Sequence, residues 1–259
     1  MREKSSGDGT VGKALSVLDM VAAFGQPVKF NQLLEQSPFP KATLYRLLQT
    51  LVHQSMLAFD ADQGTYQVGL RVVRLAHAAW KSSSLAPLAR PFVDALAQQT
   101  GDIVHLAQFD AGQVLYIDKR KADDRFETLA QVGNVAPAYC TGVGKAMLAF
   151  LPPHQLQTAL QQQAFHAFTP ATLQSTDALL QELSTIKAES VAYDREEHEV
   201  GTISIAAPIF GHGQRLLGAI SIATSTARKS LGELTAHKAE LLKTATQIGD
   251  AAAAWHAPV

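Results

Sequence analysis

Residues 41–54 read Lys-Ala-Thr-Leu-Tyr-Arg-Leu-Leu-Gln-Thr-Leu-Val-His-Gln, and this stretch decides the fold of the first part of the chain. Leu44, Leu47, Leu48 and Leu51 fall at i, i+3, i+4 and i+7, the apolar stripe of one α-helix. The opposite face then carries Ala42, Arg46, Gln49 and His53, with Thr43 and Tyr45 on its flanks. Pro40 stands at or just before the first turn, where a missing N–H leaves nothing unsatisfied. Upstream, Gly12–Phe24 places Leu15, Leu18, Val21 and Ala22 at helical spacing, and Gly25-Gln26-Pro27 stops that helix. Asn31–Gln36 is a short second helical stretch and Ser37-Pro38-Phe39-Pro40 a turn. Downstream, Met56–Phe59 and Thr65–Val68 are β-like runs joined by Asp60-Ala61-Asp62-Gln63-Gly64, a hairpin with a glycine in its turn. Helix, short helix, turn, helix and hairpin is the order of a winged helix-turn-helix.

An α-helix fits the major groove of DNA, and a few side chains on one face reach the base edges. The free face here offers Arg46, Gln49 and His53. Lys41 and Thr43 lie near the helix N-terminus, where phosphate is also favoured. Read alone, the same face is an ordinary solvated one; the flanking short helix and hairpin shift the reading toward DNA. The hairpin carries Asp60 and Asp62 but no Lys or Arg, so it should attract phosphate little.

Beyond the hairpin the pattern changes. Leu70–Trp80 reads as a helix, Lys81-Ser82-Ser83-Ser84 as a linker, and Leu85–Gln99 as the helix opening a second domain. Ile103–Phe109, Val114–Asp118, Glu127–Val132, Val191–Tyr193, Thr202–Phe210 and Leu217–Thr224 read as strands. Ala146–Leu151, Pro153–Gln163, Asp177–Glu189 and a long Leu231–Trp255 read as helices. Strands in runs with helices between them predict an antiparallel-rich sheet covered by helices, an α+β chain overall. The expected division is a disordered tail over 1–10, a winged helix-turn-helix over 11–69, a linker helix over 70–84 and a second domain over 85–259.

Composition bounds the function. A chain of 259 residues with 47% apolar and 17% charged residues supports two packed cores. No apolar run reaches the ~18–20 residues that span a bilayer, and Met1–Thr10 lacks an apolar signal segment, so a cytoplasmic protein is expected. One cysteine, Cys140, excludes an internal disulfide framework and a multi-cysteine zinc site. The net charge of −1 hides an asymmetry: eight Lys and Arg against six Asp and Glu up to Trp80, fourteen against seventeen beyond. That sign suits a first domain that meets a polyanion.

Two further stretches carry chemistry. In Ala138–Phe150, AYCTGVGKAMLAF, a Thr/Gly turn leads into an apolar helix. The unpaired N–H groups at Gly142–Gly144 form either an anion site or a helix end that binds nothing. It is not a phosphate-binding P-loop, because the first glycine of that motif would fall on Tyr139 and Ala146 replaces its Ser/Thr. Tyr193–Glu199, YDREEHE, is a dense charge run. Asp194, Glu197 and His198 are of metal-ligating types, but such a run more commonly forms a solvated turn, and no metal is expected. Cys140 has no His or Asp at a spacing that would make it a nucleophile and is expected as a buried or pocket-lining thiol. No GxSxG, HExxH or dinucleotide fingerprint occurs, so neither catalytic residues nor a cofactor are expected. Two classes of function stand: a DNA-binding regulator, or an enzyme or small-molecule sensor using only the second domain. The missing catalytic constellation argues against the enzyme.

From Gly12 to about Trp255 the chain resembles the IclR-type transcriptional regulators. The matching stretches are Pro40–Leu51, Gly64–Gly69, Cys140–Ala146, Tyr193–Glu197 with Gly201, and Ala206–Phe210, five in the family's order and spacing. The resemblance implies an N-terminal winged helix-turn-helix, a C-terminal GAF-like α/β effector-binding domain, dimers that pair into tetramers, and double-stranded operator DNA as partner. It places Lys13, where the family usually has arginine, with Lys41, Thr43, Tyr45 and Arg46 toward DNA, and Gln49 of the free face joins them as a candidate contact. It maps the family's small-molecule pocket onto Thr141, Gly142, Val143, Asp194, Thr202, Ser204, Ser221 and Ala223. The departures are Pro38 and Ser55 in place of glycines, the first stiffening the turn and the second calling for a strained φ, the missing basic wing residue, and Ala223 where a hydroxyl is common. The expected effector is a small organic acid or aromatic compound that modulates a repressor. Its carboxylate would meet the N–H groups of Gly142 and Val143, with Asp194 at the far end accepting from a ligand alcohol and repelling a second carboxylate.

Overall fold

The computed structural model describes residues 9–121 and 126–253. They divide into two units, with the border between Ser82 and Ser83.

In the first unit α1 (Gly9–Ala23) is followed by β1 (Val28–Lys29), α2 (Phe30–Gln36), α3 (Lys41–His53), β2 (Leu57–Asp60), β3 (Thr65–Val68) and α4 (Leu70–Ser83). The three strands form an antiparallel sheet in the order β1-β3-β2. The core is Val17, Val21, Val28, Leu33, Leu57 and Tyr66 around the four leucines of α3. The phase of α1 differs from expectation. Val17 and Val21 are buried, with Ala14 and Leu18 packed beside them, whereas Leu15 is 50% exposed and Ala22 faces solvent. The helix carries two overlapping apolar registers, and packing onto α3 selects the one through Val17. β1 is too short to show a period of two. The expected linker is also different: Lys81–Ser83 continue α4, because serine lowers helix propensity only modestly and no Gly or Pro intervenes. Of the expected tail, Gly9 and Thr10 are helical; residues 1–8 lie outside the described residues.

The chain turns sharply after α3. Ser55 takes the left-handed region at φ 57°, and the Met56 N–H donates to Leu51 O at 2.9 Å. Gly69 passes so close that a Cβ there would strike the Ser55 carbonyl.

The second unit runs α5 (Ala86–Thr100), β4 (Ile103–Asp110), β5 (Gln113–Arg120), β6 (Val135–Pro137), α6 (Gly142–Leu148), α7 (Pro153–Gln162), α8 (Thr176–Glu189), β7 (Ala192–Arg195), β8 (Thr202–Phe210), β9 (Leu216–Ser225), α9 (Leu231–Thr235) and α10 (Lys238–Ala251). The six strands form one antiparallel sheet, β6-β5-β4-β9-β8-β7. Alternation along β9 turns Ala219, Ser221 and Ala223 to one face and Ile220 and Ile222 to the other, and both sets are buried. Two expectations fail here. Glu127–Val132 is not a strand: the Lys119 ammonium takes the carbonyls of Thr128 (3.3 Å) and Ala130 (2.7 Å), and the ladder partner of β5 is Val135–Pro137 instead. The single C-terminal helix is broken at Ala236-His237, where α9 ends after its Ser230–Glu233 capping box; Trp255 lies outside the described residues.

Candidate functional site

The first candidate is the outer face of α3. Pro40 is its N-cap, and Pro40 O accepts the Leu44 N–H at 2.9 Å. Burial of Leu44, Leu47, Leu48 and Leu51 leaves Lys41, Tyr45, Arg46 and Gln49 exposed, with Thr43 half-buried. Lys13 is exposed on α1. The Gln49 side chain lies against the Tyr66 hydroxyl, whose pKa burial pushes up. In the hairpin, Asp60 Oδ1 accepts from the N–H groups of Asp62 (2.9 Å) and Gln63 (3.0 Å), so its carboxylate closes the turn.

The second candidate is a cavity on one face of the large sheet. Strand register builds its floor. Asp194 pairs with Ser204 and Ser204 with Ala223; Ala206 pairs with Ser221, and Ser221 with His105. Directly paired residues in neighbouring strands point to the same face. α6 closes one side, approaching so tightly that a Cβ on Gly142 would lie 2.6 Å from Ser204 Oγ and one on Gly144 would strike the Ala138 carbonyl. Thr141, Gly142, Val143, Asp194, Thr202, Ser204, Ser221 and Ala223 all line this one cavity of about 30 Å³. His105, Tyr116, Thr128, Ala130, His198 and Glu199 line it too. Sequence reasoning missed His105, Tyr116, Thr128, Ala130 and Glu199, because strand pairing and side-chain tethers bring them there. The Thr141 hydroxyl donates to Pro137 O at 2.9 Å rather than capping α6, so the first N–H groups of that helix have no side-chain cap. α6 has only seven residues, and it begins at Gly142 rather than at Ala146.

The electrostatics of the cavity differ from expectation at Asp194. Burial raises its pKa to about 7, with the neighbouring Glu197 and Glu199 adding to the rise and the Glu197 N–H (2.8 Å to Oδ1) and Lys145 opposing it. Near neutral pH Asp194 is therefore a hydrogen-bond donor in part of the population, and its repulsion of a second carboxylate is weaker than a full charge would give. Burial pushes His105 down to about 3, and the Lys119 charge adds to the shift, so its imidazole is neutral. His105 Nε2 lies 3.0 Å from Thr128 Oγ1, which also accepts from Lys119 Nζ at 3.1 Å. His198 is lowered by the same loss of hydration. Burial pushes the Cys140 thiol up to about 12, which leaves it protonated and unreactive.

The Tyr193–Glu199 run is not a solvated turn. Asp194 and Glu197 are buried, and Glu197 Oε1 pairs with the fully buried Lys145 Nζ at 2.5 Å. Glu182 reaches the same ammonium at 3.2 Å and Arg195 at 2.9 Å. The hydroxyls of Thr169 and Thr172 donate to the carbonyls of Glu196 and Glu197, both at 2.6 Å. Among the described residues no group of three or more His, Cys, Asp or Glu is arranged to hold a metal.

The chain is similar to known proteins over both units. Residues 77–250 match the family model described as bacterial transcriptional regulator IclR C-terminal, and residues 10–61 match the IclR helix-turn-helix domain. The HTH-type transcriptional regulator XynR of Escherichia coli K12 is 28% identical over 232 residues, covering 90% of this chain and 92% of the relative. The transcriptional repressor IclR of the same organism is 27% identical over 238 residues, covering 91% and 87%. The crystal structure of Thermotoga maritima IclR superposes with a TM-score of 0.71 at 23% identity, over 93% of this chain and 97% of that one, a likeness of fold. The two sequence relatives are regulators of transcription, not enzymes.

Proposed function

The chain belongs to the IclR family of DNA-binding transcriptional regulators, and from that premise we propose that it is a repressor whose grip on operator DNA is set by a small organic ligand in the cavity of its second unit. It is not an enzyme. Lys13, Lys41, Thr43, Tyr45, Arg46 and Gln49 are the residues proposed to meet DNA. Thr141, Gly142, Val143, Asp194, Thr202, Ser204, Ser221 and Ala223 are those proposed to meet the effector. The observation that carries the first assignment is the leucine stripe of α3, which forces Arg46 outward beside Lys41 and Tyr45. The second is supported by a cavity lined by the hydroxyls of Thr141, Thr202, Ser204 and Ser221. The repressor sense leans on the named repressor among the relatives.

A homodimer, or a dimer of dimers, would set two α3 helices in successive major grooves about 34 Å apart, which calls for a roughly palindromic operator. The ligand, a hydroxy, keto, sugar or phenolic acid or an aromatic compound, acts only through its different affinity for the DNA-competent and incompetent arrangements. The setting is the cytoplasm; no helix among the described residues is long and apolar enough to cross a membrane.

The test has two arms. A duplex is selected from a randomised pool by the wild-type protein, and Arg46→Ala is expected to weaken binding to it by ~1–3 kcal/mol. Unchanged affinity in a folded variant removes Arg46 from the interface. A thermal-shift panel of organic acids is then run on wild type and Ser204→Val. An acid that stabilises the first and not the second supports the cavity; equal shifts place the ligand elsewhere. Val143 is a poor site for a bulky blocking residue, because its side chain, on α6, is buried in the core of the second unit.

A further inference from the structure

The first unit holds a cleft between α3 and the hairpin, lined by Phe30, Lys41, Ala42, Tyr45, Phe59 and Tyr66. Two of its rings are exposed, Tyr45 by 54% and Phe59 by 44%. They are also held in place. Phe59 packs on the buried Tyr66 with ring centroids 4.8 Å apart, and Tyr45 meets the edge of Phe30 at 6.1 Å. Lys41, at the first turn of the thirteen-residue α3, is the cation of the cleft wall, while the hairpin offers only the carboxylates of Asp60 and Asp62.

We infer that this cleft takes one sugar–phosphate strand of duplex DNA, with the Tyr45 and Phe59 rings against the apolar faces of deoxyriboses and Lys41 on a phosphate. The inference rests on the reading that α3 lies in a major groove. A helix in the major groove with a hairpin beside it leaves one piece of DNA to pass between them, the backbone ridge that separates the major from the minor groove. A wing with Lys or Arg at that place would hold the phosphates. This wing repels them, so the contact available to it is to carbon: sugar C–H groups against flat, preorganised rings. Phe59 thereby gains a role in affinity that adds neither base specificity nor dependence on salt, since no counterion leaves the DNA when a ring meets a sugar.

Two variants test this on the selected duplex and on a scrambled one. Phe59→Ala is expected to weaken both by about fivefold to tenfold, with the slope of log K against log salt unchanged. Phe59→Lys sets an ammonium beside the same strand and is expected to steepen that slope by about one. Intact folding of each is checked by thermal unfolding, and Arg46→Ala is measured alongside. If Arg46→Ala weakens binding while Phe59→Ala does not and Phe59→Lys leaves the slope alone, the cleft does not hold DNA and this inference falls while the role of α3 stands. Loss confined to the selected duplex means that Phe59 reads a base, which also overturns it. If Arg46→Ala is silent too, the reading of α3 is what has failed.

Discussion

The two units keep their working residues in opposite places. Among the described residues the second unit buries many polar and charged side chains, from Ser84 to Thr244, whereas the buried side chains of the first are apolar apart from the Tyr66 hydroxyl. The core of the first unit is therefore almost wholly apolar, and Lys41, Tyr45 and Arg46, the residues proposed to meet DNA, stand outside it. The second buries Asp194, His105, Lys145 and Glu197, and each must find a partner inside or change its protonation. A surface that meets DNA needs charge in water, where it is inexpensive. A cavity that encloses a small molecule needs polar groups without water, and the protein must stabilise them before any ligand arrives.

The sharpest way to break this contrast is Lys145→Met. It strands Glu197, whose carboxylate is buried against the ammonium at 2.5 Å. Losing one partner of such a pair is expected to lower stability by ~3–5 kcal/mol in urea unfolding of the full chain, and adding Glu197→Gln should restore part of it. A loss under ~1 kcal/mol would show that the buried charges of the second unit are no more demanding than surface ones.

A smaller effect is expected from pH, and it has two opposed parts. Asp194 titrates at about 7 when folded, above its ordinary value of 3.8, so the stability it contributes is present below about pH 4 and is lost as pH rises toward 7. His105 titrates at about 3, below its ordinary 6.5, so its contribution is present above about pH 6.5 and is lost as pH falls. Between about pH 4 and 6.5 the two slopes oppose, each at most ~1.4 kcal/mol per pH unit. Wild type should show a shallower rise with pH than Asp194→Asn, a rise to which His198, lowered by the same burial, contributes in both proteins. Asp194→Asn should become more stable as pH rises, and His105→Asn less stable. Parallel profiles for the three proteins in urea titrations would deny the cavity its buried charges.

The smallest change belongs to the first unit. Ser55→Gly relieves a left-handed serine and is expected to raise stability by ~0.5–1 kcal/mol without altering the salt slope of DNA binding. A loss of stability would mean that the serine is held there by more than the turn.

What could be read in the sequence follows the same division. The face of α3 was legible because its period is local: four leucines settle which side is wet. α1 was misphased, since Leu15 and Val17 serve equally well until α3 is beside them. The eight cavity residues came from likeness to a family, while His105 required its pairing with Ser221, a contact 116 residues away. The run at Tyr193–Glu199 looked solvated because charge density ordinarily means water. Its counter-ion, Lys145, lies 52 residues before Glu197 and was hidden in an apolar helix.

The tether of the 127–131 segment has a consequence in time. Lys119 holds Thr128 and Ala130 over a cavity with room for about two waters. If the proposed effector is an organic acid, it needs more room than that, and release of the tether would provide it. If the released fraction is about one in a hundred, the apparent affinity falls a hundredfold from its intrinsic value. With the cavity as the effector site, the ammonium of one lysine would then set how readily a ligand is admitted, and the regulator would answer a sustained supply better than a brief pulse.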